Sequence, residues 1–239
     1  LGWNRKGAII LKELNRYVAP GSMVTVISAF PVAEILDPLA SKFKNFQLTY
    51  FEENTSDRGV LEQLRVNDFD HILLLAYQEK LDLQQADAQT LITLLHLRDI
   101  WEKAGKPLRI VTEMLDLRNR ELANVTKADD FIVSDKLMSL LMAQIAENKH
   151  LMRVFDDLFH HEGSEIYIRP ASEYTIPGST LDFYAVLEAA KARGETAIGY
   201  RLMDQQYSHE DEYGLVLNPV KSETFTLKAN DCVIVLAEG

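Results

Sequence analysis

The chain is 239 residues long, 47% hydrophobic, and carries a formal net charge of −11. That length and apolar content suffice for a sizeable buried core and exclude a disordered chain. The acidic balance disfavours nucleic acid and anionic membrane surfaces as direct partners and favours divalent cations, although surface solvation accounts for the charge equally well. The single cysteine, Cys232, excludes an internal disulfide framework and a cysteine-based zinc site. Its apolar setting predicts a small core residue in a reducing compartment. No apolar run reaches the roughly 18 residues that a membrane-spanning helix needs, and no secretory leader is evident.

Helix and strand patterns alternate from the start. Gly2 to Gly7 reads as a turn opening a helix over Lys6–Tyr17. Strand-like runs follow at Met23–Ala29, Phe46–Phe51, Asp70–Ala76, Leu108–Glu113 and Asp130–Ser134. The third is nearly all apolar, as expected of a strand covered on both faces. Helical patterns separate the runs, most clearly Leu83–Lys103 and Asp135–Glu147. This alternation predicts an α/β fold, a Rossmann-like doubly wound parallel sheet. A turn of the Gly2–Gly7 kind normally leaves a first strand that is central in such a sheet. Only Leu1 precedes it, so that strand is expected upstream of Leu1.

A connecting helix, His150–Phe159, follows, with Gly163 as its C-terminal cap. Beyond it the pattern changes to a strand at Glu165–Arg169, a helix capped by Ser179 that runs through Ala192 to Gly194, and strands at Thr196–Leu202, Gly214–Leu217 and Cys232–Ala237. The predicted organisation is a Rossmann-like lobe over 1–147, a connecting helix over 148–162 and a small α+β lobe over 163–239.

The first loop reads Gly2-x-Asn4-x-x-Gly7, which makes Gly2, Asn4 and Gly7 the candidate cofactor-binding residues. A dinucleotide loop needs glycine where the backbone approaches pyrophosphate, and Asn4 stands at that place. An acidic residue should also end the second strand to hold the ribose. Here that strand ends Ser28-Ala29-Phe30-Pro31, and the nearest acid is Glu34. NAD is therefore not expected to bind tightly, and Gly2 and Gly7 also make sense as residues of a tight turn and close helix packing.

No catalytic grouping stands out. The chain has no nucleophile elbow, no Walker-type loop and no His-Glu-x-x-His pair among its six histidines. His160, His161 and Glu162 are adjacent and fit a solvated helix end. Glu113 and Asp116 follow the fourth predicted strand, on the edge where open α/β sheets bind ligands. They are the candidate metal ligands. Two carboxylates are too few for Ca²⁺, which takes six to eight oxygens, so other oxygens would have to join them. Capping of a following helix by Asp116 is the alternative reading. Ser208–Glu212 is a second acidic cluster and reads as a solvated loop.

Several segments in order resemble the regulatory region of Castor and Pollux type ion channels: Leu1-Gly-Trp-Asn-Arg5, Tyr17–Ser22, Gln85–Ile100, Thr112–Asp116, Ser134–Ser139, Glu162–Ile168 and Leu217–Glu223. The resemblance covers nearly the whole chain. It implies the fold called regulator of potassium conductance, with a modified dinucleotide-type lobe, a crossover helix and a small C-terminal lobe. It also implies homo-oligomeric assembly into a ring on the cytoplasmic side of a membrane pore, with membrane-spanning helices upstream in the same protein, and gating by Ca²⁺ or another small ligand. Two other functions use related folds: a nucleotide-binding cytoplasmic subunit of a potassium transporter, and an NAD-dependent oxidoreductase.

Overall fold

The structure, a computed structural model, describes residues 1–105, 109–116, 118–119, 131–160, 162–206, 208 and 210–238. The chain divides into two compact units, Leu1–Glu147 and Asn148–Gly239.

The first unit is built on parallel strands. β1 (Ser22–Ser28) pairs with β2 (Phe46–Glu52), with Ser22 opposite Phe46 and Ser28 opposite Glu52. β3 (Ile72–Leu74), β4 (Ile110–Met114) and β5 (Phe131–Val133) form a second parallel group in that order. Residues 1 and 2 stand between the two groups. The Leu1 amine donates to the Leu73 carbonyl at 2.7 Å, the Leu75 N–H donates to the Leu1 carbonyl, and the Gly2 N–H donates to the Ile27 carbonyl. Leu1 and Gly2 thus connect β3 to β1 by main-chain hydrogen bonds.

Helices cover the sheet as a doubly wound fold requires. α1 (Arg5–Tyr17) and α2 (Ala33–Ala40) share one apolar cluster with β1 and β2, through Leu11, Val26, Leu36 and Phe46. α3 (Arg58–Gln63) and α4 (Leu83–Ala104) share another with β3 and β4, through Leu61, Leu74, Leu94, Leu97, Trp101 and Ile110. α4 starts at Asp82, whose carboxylate accepts the Gln85 N–H, and stops at Gly105, which takes the left-handed conformation at φ 64°. α5 (Ser134–Glu147) closes the unit.

The second unit begins with α6 (Leu151–Leu158). An antiparallel sheet follows, in the order β6 (Ser164–Pro170), β11 (Cys232–Glu238), β8 (Thr196–Arg201), β9 (Leu215–Leu217). β7 (Thr180–Asp182) and β10 (Thr224–Thr226) make a separate antiparallel pair. α7 (Phe183–Ala192) supplies Phe183, Val186 and Ala190 to a core shared with Val233, Val235 and Leu227.

Several details depart from the sequence reading. α6 ends at Leu158 with Phe159 at its C-cap, so Gly163, four residues further on, does not cap it. The α7 cap is Asp182, whose side chain accepts the Ala185 N–H at 3.0 Å, and not Ser179. Pairing of Thr180–Asp182 with β10 holds those residues extended and delays the helix. Cys232 is half-buried because the core-facing residues of β11 are Val233, Val235 and Ala237, of opposite parity. Leu108 and Asp130, at the starts of two predicted strands, lie outside the described residues.

Leu94 is fully buried between α4 and the sheet. Leu94→Ala should lower unfolding free energy by about 2–5 kcal/mol in urea titration, the usual cost of a large-to-small core change. In the second unit, burial and the hydrogen bond from its hydroxyl to Glu195 push the Tyr174 phenol up to about 12. The folded state thus keeps a proton that the unfolded chain loses near pH 10, and the associated stability falls as pH rises from about 10 to 12. Absorbance titration should show a late tyrosine that disappears in Tyr174→Phe.

Candidate functional site

The carboxyl edge of the parallel strands gathers the first loop with the ends of β1, β3 and β4. Gly2 has φ +75°, and a Cβ there would lie 2.0 Å from the Leu75 carbonyl oxygen, so only glycine fits beside β3. A Cβ on Gly7 would lie 2.6 Å from the Trp3 ring, so the missing side chain lets the indole pack on the first turn of α1. Gly2 is thus required by the protein's own backbone, and Gly7 makes room for the Trp3 ring.

Asn4 is 2% exposed, and every polar atom of its side chain is used. Its Oδ1 accepts the Lys6 N–H at 3.0 Å and caps α1. Its Nδ2 donates to the Ala76 carbonyl at 2.8 Å and to Glu113 Oε2 at 2.8 Å. The same Glu113 oxygen accepts the Ala76 N–H at 3.2 Å, and Lys6 Nζ lies 2.5 Å from Oε1. Glu113 is 5% exposed, so a buried carboxylate ties the first loop to the ends of β3 and β4.

The adjoining crevice is filled by Tyr77, which is 2% exposed. Its hydroxyl accepts the Ala29 N–H at 2.8 Å and lies 3.2 Å from Thr55 Oγ1. Phe30 packs edge-on against its ring, with centroids 5.1 Å apart. A tyrosine hydroxyl therefore serves the end of β1, near the place where a dinucleotide fold presents its ribose-binding acid.

Glu113 and Asp116 have different partners. Asp116 is paired with Arg118, whose Nη2 lies 2.6 Å from Oδ2, and this bond holds the Asp116 carboxyl below its usual range. The Asp116 N–H donates to Asp87 Oδ2, which also accepts Asn119 Nδ2, while Asp87 Oδ1 accepts the Leu115 N–H. Asp87 thus fastens the segment after β4 to α4. Among the described residues no group of three or more His, Cys, Asp or Glu is placed to hold a metal ion. In the second acidic cluster Ser208 Oγ donates to Asp211 Oδ2, which closes that loop on itself. His160 Nδ1 accepts the Glu162 N–H; His161 and His209 lie outside the described residues.

Sequence reasoning missed Tyr77, Thr55 and Asp87. A signal existed for Asp87 alone: it falls on the helical stripe of Thr90, Leu94, Leu97 and Trp101, all buried. An acid on a core-facing stripe needs donors.

The fold is shared with a solved gating ring. The structure aligns over its full length with the human SLO3 gating ring, at a TM-score of 0.63 and 13% identity, covering 43% of that chain. No family model matches the sequence. Individual relatives do: the chain is 31% identical over its whole length to the ion channel DMI1 of Medicago truncatula, covering 30% of it. It is 30% identical to the ion channel POLLUX of Lotus japonicus, covering 29%, and 29% identical to CASTOR of the same plant, covering 31%. The resemblance to Castor and Pollux type ion channels therefore runs along the whole chain, which spans about 30% of the length of DMI1. Among the described residues no helix is long and apolar enough to cross a membrane.

The Lys6–Glu113 pair gives a direct test. Lys6→Met removes the ammonium that meets the buried Glu113 carboxylate. Because the Lys6 side chain is 36% exposed, the loss should fall below the cost of breaking a fully buried pair, at about 1–3 kcal/mol. The double variant Lys6→Met/Glu113→Gln should recover part of it in urea titration.

Proposed function

We propose that the chain is the ligand-sensing and gating part of a cation channel, with no catalytic role, on the cytoplasmic side of the membrane. The similarity to plant ion channels along the whole chain, on a fold shared with a gating ring, carries this reading. The carboxyl edge agrees with it. Asn4, Glu113 and Tyr77 are committed to internal bonds, which suits a scaffold that changes shape better than one that presents a nicotinamide to a substrate. A ligand drives such a change only through unequal affinity for two shapes of the assembly. The ligand class is a divalent cation, Ca²⁺ foremost, or a small molecule. NAD is a poor candidate, because Asn4 and Tyr77 fill the loop and crevice.

Self-association is the second part of the proposal. No residue of α6 is buried, and none of the described α5 side chains is buried either. Leu137 and Leu140 on α5, and Val154 and Phe159 on and beside α6, are each about half exposed. Apolar helix faces of this kind mark protein contacts. The partner is a second copy of the chain, in a dimer that extends to a ring joined to the pore in the full-length protein.

Thermal unfolding with Ca²⁺, Mg²⁺, NAD(H) and adenine nucleotides tests the sensing role, since a ligand of the native state raises the midpoint. A rise with a divalent cation and none with NAD is expected. A micromolar dissociation constant for NAD would favour the transporter subunit or the oxidoreductase, and no shift with any ligand at millimolar concentration would remove the sensing role. Light scattering at high micromolar concentration should show a dimer or larger particle that Leu140→Glu and Val154→Glu weaken; a strict monomer would overturn the association.

A further inference from the structure

We propose that Glu113 is a built-in substitute for a ligand anion: its carboxylate fills a seat, made by Lys6, Asn4 and the Ala76 N–H, that otherwise accepts a phosphate-type group. This goes beyond the channel reading and does not rest on it.

The seat is defined by convergence. Lys6 Nζ meets one carboxylate oxygen, while Asn4 Nδ2 and the Ala76 N–H meet the other. One charged donor with two directional neutral ones is a donor set suited to phosphate oxygens. The seat is not the open end of α1, because the Lys6 N–H is already used by Asn4 Oδ1. Side-chain exposure is 6% for Glu113 and 36% for Lys6, so the carboxylate is buried while the lysine side chain is partly open to solvent.

Charge excludes a second anion while Glu113 is in place. The Lys6–Glu113 pair is neutral, and a phosphate beside it would face a carboxylate at short range in a poorly solvated site. Without the carboxylate, one positive charge and two donors remain with no anion to receive them. Tyr77 is buried next to Ala76 with Phe30 edge-on against its ring, which leaves little room for a nucleoside beside the seat, so the group considered is a bare phosphate or diphosphate. Glu113 is on this account a specificity residue: it denies the loop the ligand that loops of this shape can hold.

The test is calorimetric titration of the chain with inorganic pyrophosphate at low ionic strength without divalent cations. Wild type should show no measurable binding. Glu113→Ala should bind measurably, at least about tenfold more tightly than the weakest binding the titration can detect, a difference of about 1.4 kcal/mol. Glu113→Ala/Lys6→Met should lose that gain. Circular dichroism checks folding, and Glu113→Gln, which keeps the side-chain volume, takes the place of the alanine variant if that one unfolds; its gain should be smaller and of the same sign. Equal pyrophosphate binding by wild type and a folded Glu113 variant, or a gain that survives the loss of Lys6, would overturn the proposal.

Discussion

A carboxylate withdrawn from water must be met by donors, and the first loop is shaped by that demand from Glu113. Its two oxygens take hydrogen bonds from three separate places: Asn4 and Lys6 at the start of α1, and the main chain at Ala76 after β3. Loss of any one donor would leave part of a buried charge unsatisfied, which costs more than an ordinary hydrogen bond contributes. Asn4 answers two demands at once, because its oxygen caps α1 while its nitrogen reaches Glu113 and Ala76. Aspartate there would set a second carboxylate against Glu113, and glycine would leave both ends open. An amide is the side chain that fits.

The sheet places a parallel constraint on the residue before the loop. Leu1 exchanges main-chain hydrogen bonds with β3, and Gly2 donates to β1. The loop therefore starts from a fixed height and direction relative to both strands. Gly2 has no Cβ to strike Leu75, so the chain can turn at once from the sheet into α1. Loop, helix start and buried acid form one cooperative unit, in which each part fixes the geometry that the others need.

Much of the fold was legible in the sequence because its signals are local. Alternating apolar runs and helical stripes gave the parallel strands and α4 close to their observed ends, and Gly105 and Gly194 stand at helix ends with left-handed φ. The α7 start was misread at Ser179 because its true limit comes from pairing with β10, more than 40 residues further on, which no local pattern reveals. The site was less legible for the same reason. Lys6 and Glu113 are 107 positions apart, and Ala29 and Tyr77 are 48 apart. Glu113 is legible as an acid at the end of a strand, but its bond to Lys6 is not. Tyr77 carried no sign, because a tyrosine after an apolar strand reads as ordinary core until its hydroxyl is seen at Ala29.

The packing of Trp3 on Gly7 also equips the molecule for optical study. The chain has two tryptophans. One, Trp101, is buried in the α4 cluster; the other lies against the first turn of α1, a few residues from Asn4 and Lys6. Replacing Trp101 with phenylalanine would leave a single indole as an emitter confined to the loop. Its wavelength and quenching would follow rearrangement there without any attached dye, on timescales that unfolding experiments do not reach.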